Sequence, residues 1–162
     1  LVTREAVADI ASVGSEPELW ELTDAVGRRD AAKTSEVLAR YASEDGAGIL
    51  LTTVLERFFR ELVLYRDALD RGWLTNYGWS RSLDTGTAEM LDSLGIGPGV
   101  TRGTWMLTRA AAQARSYTLL ELRLARFRVL SVRERLVTSS QLDGAALVEA
   151  ELMRIVGRRR GA

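Results

Sequence analysis

Apolar residues along this chain recur at steps of three and four, and nowhere do they alternate with polar ones over the length of a strand. The pattern predicts helices. Thr3 caps a short first helix carrying Val7 and Ile10, and Ser15 with Glu18 has capping-box spacing ahead of Leu19, Leu22 and Val26. Pro17 is tolerated in that first turn. Gly27 ends the second helix, and Asp30 caps a third whose apolar face holds Thr34, Val37, Leu38 and Tyr41. The pattern then breaks at Asp45-Gly46-Ala47-Gly48. An Asp-Gly pair also opens hairpins, but the flanks have helical periodicity, so a helix–helix connection is expected.

The strongest element follows. Leu51, Leu55, Phe58, Leu62, Tyr65 and Leu69 trace one apolar stripe, while Glu56 with Arg60 and Arg57 with Glu61 are spaced to pair on the opposite face. Residues 73–86 lose the helical stripe and are expected to form a long loop or irregular insertion, with Trp73, Tyr77 and Trp79 among Gly, Ser, Thr and Asn. Met90, Leu91 and Leu94 resume a helix that stops at Gly95-Ile96-Gly97-Pro98-Gly99. Another carries Trp105, Leu107, Ala110, Ala111 and Ala114. Thr118 and Glu121 form a further capping box, opening a helix with Leu122, Ala125, Val129, Val132 and Leu136 on one side and more apolar residues beside them. So broad a stripe predicts a central, deeply packed helix. The last helix runs from about Leu142 through Ala145, Val148, Leu152 and Ile155 into Gly157 and three arginines, where cations suit a helix C-terminus.

Composition narrows the chemistry. The 162 residues suit one domain, or one domain with a remnant of a neighbour. Lys plus Arg equals Asp plus Glu at 22 each, so no net field draws the chain to phosphate backbones. Cys and His are both absent, which removes disulfides, thiolate and imidazole zinc sites, and His-dependent triads. With no signal peptide and no apolar run near the roughly 20 residues that cross a bilayer, a cytoplasmic, non-membrane protein is expected. The chain opens at Leu1 on a helical pattern, as an excised fragment would.

Each candidate site also has a plainer role. Gly95, Gly97, Gly99 and Gly103 lack the preceding strand and the Gly-Lys-Ser/Thr ending of a phosphate loop, so a helix–helix turn is expected and no nucleotide site is assigned. Glu149 with Glu151, and Glu16 with Glu18, do not share a helical face and read as solvated surface. Arg158, Arg159 and Arg160, and the stretch Arg123, Arg126, Arg128, Arg133 and Arg135, fit acidic neighbours or a protein interface better than nucleic acid. Trp73 and Trp79 either cap the local core or anchor a partner. No catalytic, cofactor or metal residue is assigned; the candidate partner interface is Trp73, Trp79, Arg115, Arg123, Arg126 and Arg133.

The order of segments resembles the C-terminal region of the DNA polymerase III delta subunit family, part of the bacterial clamp loader. Leu1-Val-Thr-Arg-Glu-Ala-Val, then Glu18-Leu-Trp-Glu-Leu-Thr-Asp-Ala-Val and Arg29-Asp, resembles the stretch that leaves the AAA+ lid. The helix from Ile49 to Leu69, with Leu55, Phe58, Phe59 and Arg60, is similar to the family's first long collar helix. Ala88-Glu-Met-Leu-Asp-Ser-Leu-Gly-Ile resembles the segment before the next collar helix, and Ala112-Gln-Ala-Arg-Ser-Tyr-Thr-Leu-Leu-Glu-Leu the Ala-Arg-aromatic pattern that follows. Ser131 stands where the family usually has an Asp four residues before a basic residue, here Arg135, and residues 73–86 look inserted.

The resemblance implies an all-α helical bundle like the clamp-loader collar, with residues 1–28 ending the lid region and 29–162 forming the collar domain. It further implies a non-catalytic assembly domain without cofactor or small-molecule substrate. Its partners would be delta-prime and tau/gamma through collar helices, with DNA met only through the complex. The rival expectation is a helical DNA-binding or regulatory domain using the arginine-rich penultimate helix.

Overall fold

The computed structural model describes residues 16–100, 103–139 and 141–157, with Glu16 as backbone alone. The helix expected around Val7 and Ile10, the Ser15 cap and Arg158–Arg160 lie outside the described residues. In chain order the elements are α1 (Glu16–Gly27), α2 (Ala31–Ala39), α3 (Ala47–Asp70), β1 (Leu74–Thr75), β2 (Gly78–Trp79), α4 (Thr85–Ser93), α5 (Thr104–Arg115), α6 (Leu119–Thr138) and α7 (Gly144–Val156). The chain is mostly helical, as the periodicity predicts. It divides into two compact units, one of residues 1–58 with 124–162 and one of residues 59–123.

In the first unit, α1 packs on α2 and α2 on α7. Its core takes Leu22, Val26, Val37, Leu38, Tyr41, Leu51, Leu55, Val129, Val148 and Leu152, all buried. Asp30 caps α2 as expected, its carboxylate accepting from the Lys33 N–H at 2.9 Å. The turn before it is made differently. Gly27 is the last helical residue, but the left-handed backbone belongs to Arg29 at φ 57°, whose geometry lets the Asp30 N–H donate back to the Ala25 carbonyl at 2.9 Å. Asp143 caps α7, accepting from the Ala146 N–H at 3.1 Å, so Leu142 precedes the helix instead of opening it.

Two glycines let the starts of α3 and α7 touch. A Cβ on Gly48 would stand 2.7 Å from Gly144 Cα and 2.8 Å from a Leu136 methyl. Real carbon atoms rest about 3.5–4.0 Å apart, so only glycine fits this approach. A helix–helix connection is found here, as the flanks predict, but it covers residues 40–46: Ala47 and Gly48 already belong to α3.

The stripe predicted along α3 is right in period and wrong at two steps. Phe59 and Ala68 are buried, whereas Phe58 and Leu69 are half-buried. Adjacent apolar residues satisfy a 3.6-residue period equally well, and packing chooses between them. Glu56 does not rely on Arg60: it accepts from the Arg126 guanidinium at 2.9 Å, a partner 70 residues away.

In the second unit the expected irregular loop at 73–86 is corrected. It contains a two-stranded antiparallel hairpin, pairing Leu74 with Trp79 and Thr75 with Gly78, and from Thr85 it is already helical. The Thr75 hydroxyl donates to the Gly78 carbonyl at 2.9 Å and accepts from the Tyr77 N–H at 3.1 Å, closing the Asn76-Tyr77 turn from within. Gly78 supplies a φ of 109° that few other residues adopt. Strands of two residues are too short for alternation to register, which is why the pattern hides them.

Asp84 caps α4 through the Thr87 N–H at 2.9 Å. Thr118 and Glu121 form the expected capping box reciprocally: the Thr118 N–H donates to Glu121 at 2.7 Å and the Glu121 N–H to the Thr118 hydroxyl at 3.1 Å. After α4 the glycine-rich turn wraps around Asp92, whose carboxylate accepts from the Gly99 N–H at 2.8 Å. A Cβ at Gly97 would collide with the Asp92 backbone and carboxylate. These glycines thus approach an anion closely, but the anion is the chain's own.

Candidate functional site

The predicted interface residues fall in both units. Trp73, Trp79, Arg115 and Arg123 belong to the unit 59–123, and Arg126 and Arg133 to the other. Trp73 is half-buried at the base of the hairpin: its carbonyl accepts from the Ser80 N–H at 2.8 Å, and the Arg71 guanidinium lies 5.0 Å from its ring centroid. Arg126 is held by Glu56, and its neighbour Arg128 by Glu151 at 3.0 Å. Arg133 is half-buried and Arg123 exposed, both on α6.

Trp79 and Arg115 both line a cavity of about 220 Å³ in the second unit. Leu74, Ile96, Leu107 and Ala111 give it apolar surface, and Thr104 and Thr108 polar surface. Among the described residues that line it there is no carboxylate. A second cavity of about 350 Å³, in the first unit, is lined by Glu44, Asp45 and Asp143, of which Asp143 is already engaged as the α7 cap. No group of three His, Cys, Asp or Glu residues among the described residues could hold a metal. The carboxylates read as surface are engaged too, Glu149 by the Ser35 hydroxyl at 2.6 Å and Glu151 by Arg128 and by Arg154 at 3.1 Å.

Perturbed ionisation follows ion pairing and burial. The Lys33 ammonium at 2.8 Å and the Arg40 guanidinium at 2.7 Å hold the Glu21 carboxyl below its ordinary range, and Glu21 in turn raises Lys33. Burial, helped by the charges of Glu18 and Glu44, pushes the Tyr41 phenol up. Neither lies in either cavity.

The feature that sequence reasoning missed is on α6. The expected central, deeply packed helix is buried on one side, through Leu122, Ala125, Val129 and Val132. Its other side is open and mixed: Leu120 and Phe127 are each 67% exposed, Leu130 40% and Val137 72%, with the exposed charges Arg123 and Glu134 between them. A stripe that runs most of the way round a helix is compatible with full burial or with two separate faces, and only the neighbours decide. Contiguous apolar side chains left in water mark interaction surfaces. Ser131 turns its hydroxyl onto the Phe127 carbonyl at 2.9 Å.

The described residues are mostly helical with one small hairpin, and no described helix is long and apolar enough to cross a membrane. Comparison with protein-family models, curated proteins and solved structures found no match.

Proposed function

We propose that this chain is the C-terminal oligomerisation, or collar, domain of a bacterial DNA polymerase III delta subunit, residues 1–28 ending the AAA+ lid region and 29–162 forming the collar. The order of sequence segments suggests the family. The observation that supports an assembly role is the row of large apolar side chains exposed along one side of α6, Leu120, Phe127, Leu130 and Val137. In this reading the domain performs no chemistry and works in the cytoplasm. Helix faces buried against delta-prime and tau/gamma hold the loader together while it places the sliding clamp on DNA. The rival reading, DNA binding through α6, is served less well because Arg126 and Arg128 are already neutralised by Glu56 and Glu151.

The test is to mix the purified chain with delta-prime and tau/gamma subunits and follow it on a sizing column. Co-elution is expected. Separate elution at concentrations where clamp loaders assemble refutes the family assignment, and salt-sensitive binding to duplex DNA in its place would favour the rival.

A further inference from the structure

The exposed side of α6 has a seam. Leu120, Arg123, Phe127, Leu130, Glu134 and Val137 follow one another at alternating steps of three and four, and each is exposed. This is the heptad spacing of a coiled-coil stripe. On an α-helix the six fall within an arc of roughly 100°. All lie on one continuous helix, Leu119–Thr138, whose own geometry sets their spacing.

The two charges on that seam select the occupant. An unpaired charge buried at a helix–helix interface is costly, so a partner must offer Glu opposite Arg123 and a base opposite Glu134. It must also place apolar side chains opposite the other four. We propose that α6 pairs antiparallel with α6 of a second copy of this chain. A two-fold axis passing between Arg128 and Val129 sets Leu120 against Val137, Arg123 against Glu134 and Phe127 against Leu130 across the pair. Every seam position then meets a complementary one, and each contact occurs twice, as an isologous interface requires. Parallel pairing in register would set Arg123 on Arg123 and Glu134 on Glu134, juxtaposing like charges.

The inference rests on the reading of this face as an assembly surface and is independent of the family proposed for the chain. The seam from Leu120 to Val137 is roughly 25 Å long. One such helix pair buries less than the about 800 Å² per partner of a standard interface, which sets the expected affinity in the micromolar range.

Sedimentation of the chain alone from low to several hundred micromolar tests the proposal. A reversible monomer–dimer equilibrium is expected. Arg123→Glu and Glu134→Arg should each weaken it about tenfold or more, by placing like charges opposite one another. The double variant R123E/E134R restores the pair with its signs exchanged and should return the dimer to near wild-type affinity. Circular dichroism verifies that these surface variants fold. A monomer at every concentration, single reversals without effect, or a double variant no better than the singles overturns the proposal. Adding delta-prime and tau/gamma separates the two claims: a monomeric chain that joins them sinks the dimer alone, and a dimer that ignores them sinks the family reading alone.

Discussion

Replacing Gly48 with Ala tests the closest approach in the first unit. The new methyl would sit 2.7 Å from Gly144 Cα, 2.8 Å from Leu136 Cδ1 and 3.0 Å from the Gly144 carbonyl carbon. Relieving those contacts to the about 3.5–4.0 Å that carbon atoms prefer requires the starts of α3 and α7 to separate by close to 1 Å. Two of the three atoms are backbone, so no side-chain rotation relieves the clash. Overpacking of this kind costs about 1–3 kcal/mol. Alanine recovers part of it, since glycine within a helix is less favourable by roughly 0.5–1 kcal/mol. The expected net loss is about 1–2 kcal/mol, read from the midpoint of urea unfolding followed by circular dichroism. Gly86→Ala is the control: this helical position in α4 has nothing nearer a new methyl than an Asp84 oxygen at 3.4 Å, so the same chemical change should stabilise slightly. If Gly48→Ala matches or exceeds wild type while Gly86→Ala behaves as expected, the two helix starts are not in contact and the packing described for this unit is wrong.

Asp92→Ala removes the acceptor around which the 95–99 turn closes, leaving the Gly99 N–H without its 2.8 Å partner. Amide exchange at Gly99 should speed about tenfold, as expected for loss of a charge-assisted bond worth about 1.5 kcal/mol, while exchange in α7 stays unchanged. Unaltered protection at Gly99 would count against the clamp. Glu21 gives a pH prediction. Its folded-state pKa is depressed by Lys33 and Arg40, so its stabilising contribution is present above the unfolded carboxylate pKa and disappears as pH falls through the lower folded value. A carboxyl NMR titration should place Glu21 below the ordinary 4.5 and return it toward that value in the Lys33→Met, Arg40→Met double variant. A wild-type midpoint at the ordinary value removes the ion pairs from the account.

Much of the secondary structure was legible in the residues because the signals that set it are local. Asp30 lies three residues before the N–H it caps, and Thr118 and Glu121 cap one another across a single turn. The steps of three and four in α3 and α7 likewise come from the helix period itself. The hairpin at 74–79 was not legible, because strands of two residues carry no alternation and its turn is held by one threonine hydroxyl. The glycine-rich turn was assigned correctly as a helix–helix connection, yet its reason was out of view: Asp92 is seven residues from the Gly99 amide that it holds.

Sequence by itself decided that this chain is mostly helical and where α2 and α6 start, and it leaves these 162 residues without an imidazole or a thiol, because each of these depends on residue identity and near-neighbour spacing. Tertiary structure decided which apolar side chains go inside. Phe59 is buried over Phe58, Glu56 is bound to Arg126 and not to the arginine one turn along its own helix, and α6 hides Val129 while leaving Phe127 in water. Periodicity states that a helix has an apolar side. Burial depends on what lies against it, and those neighbours come from residues far along the chain.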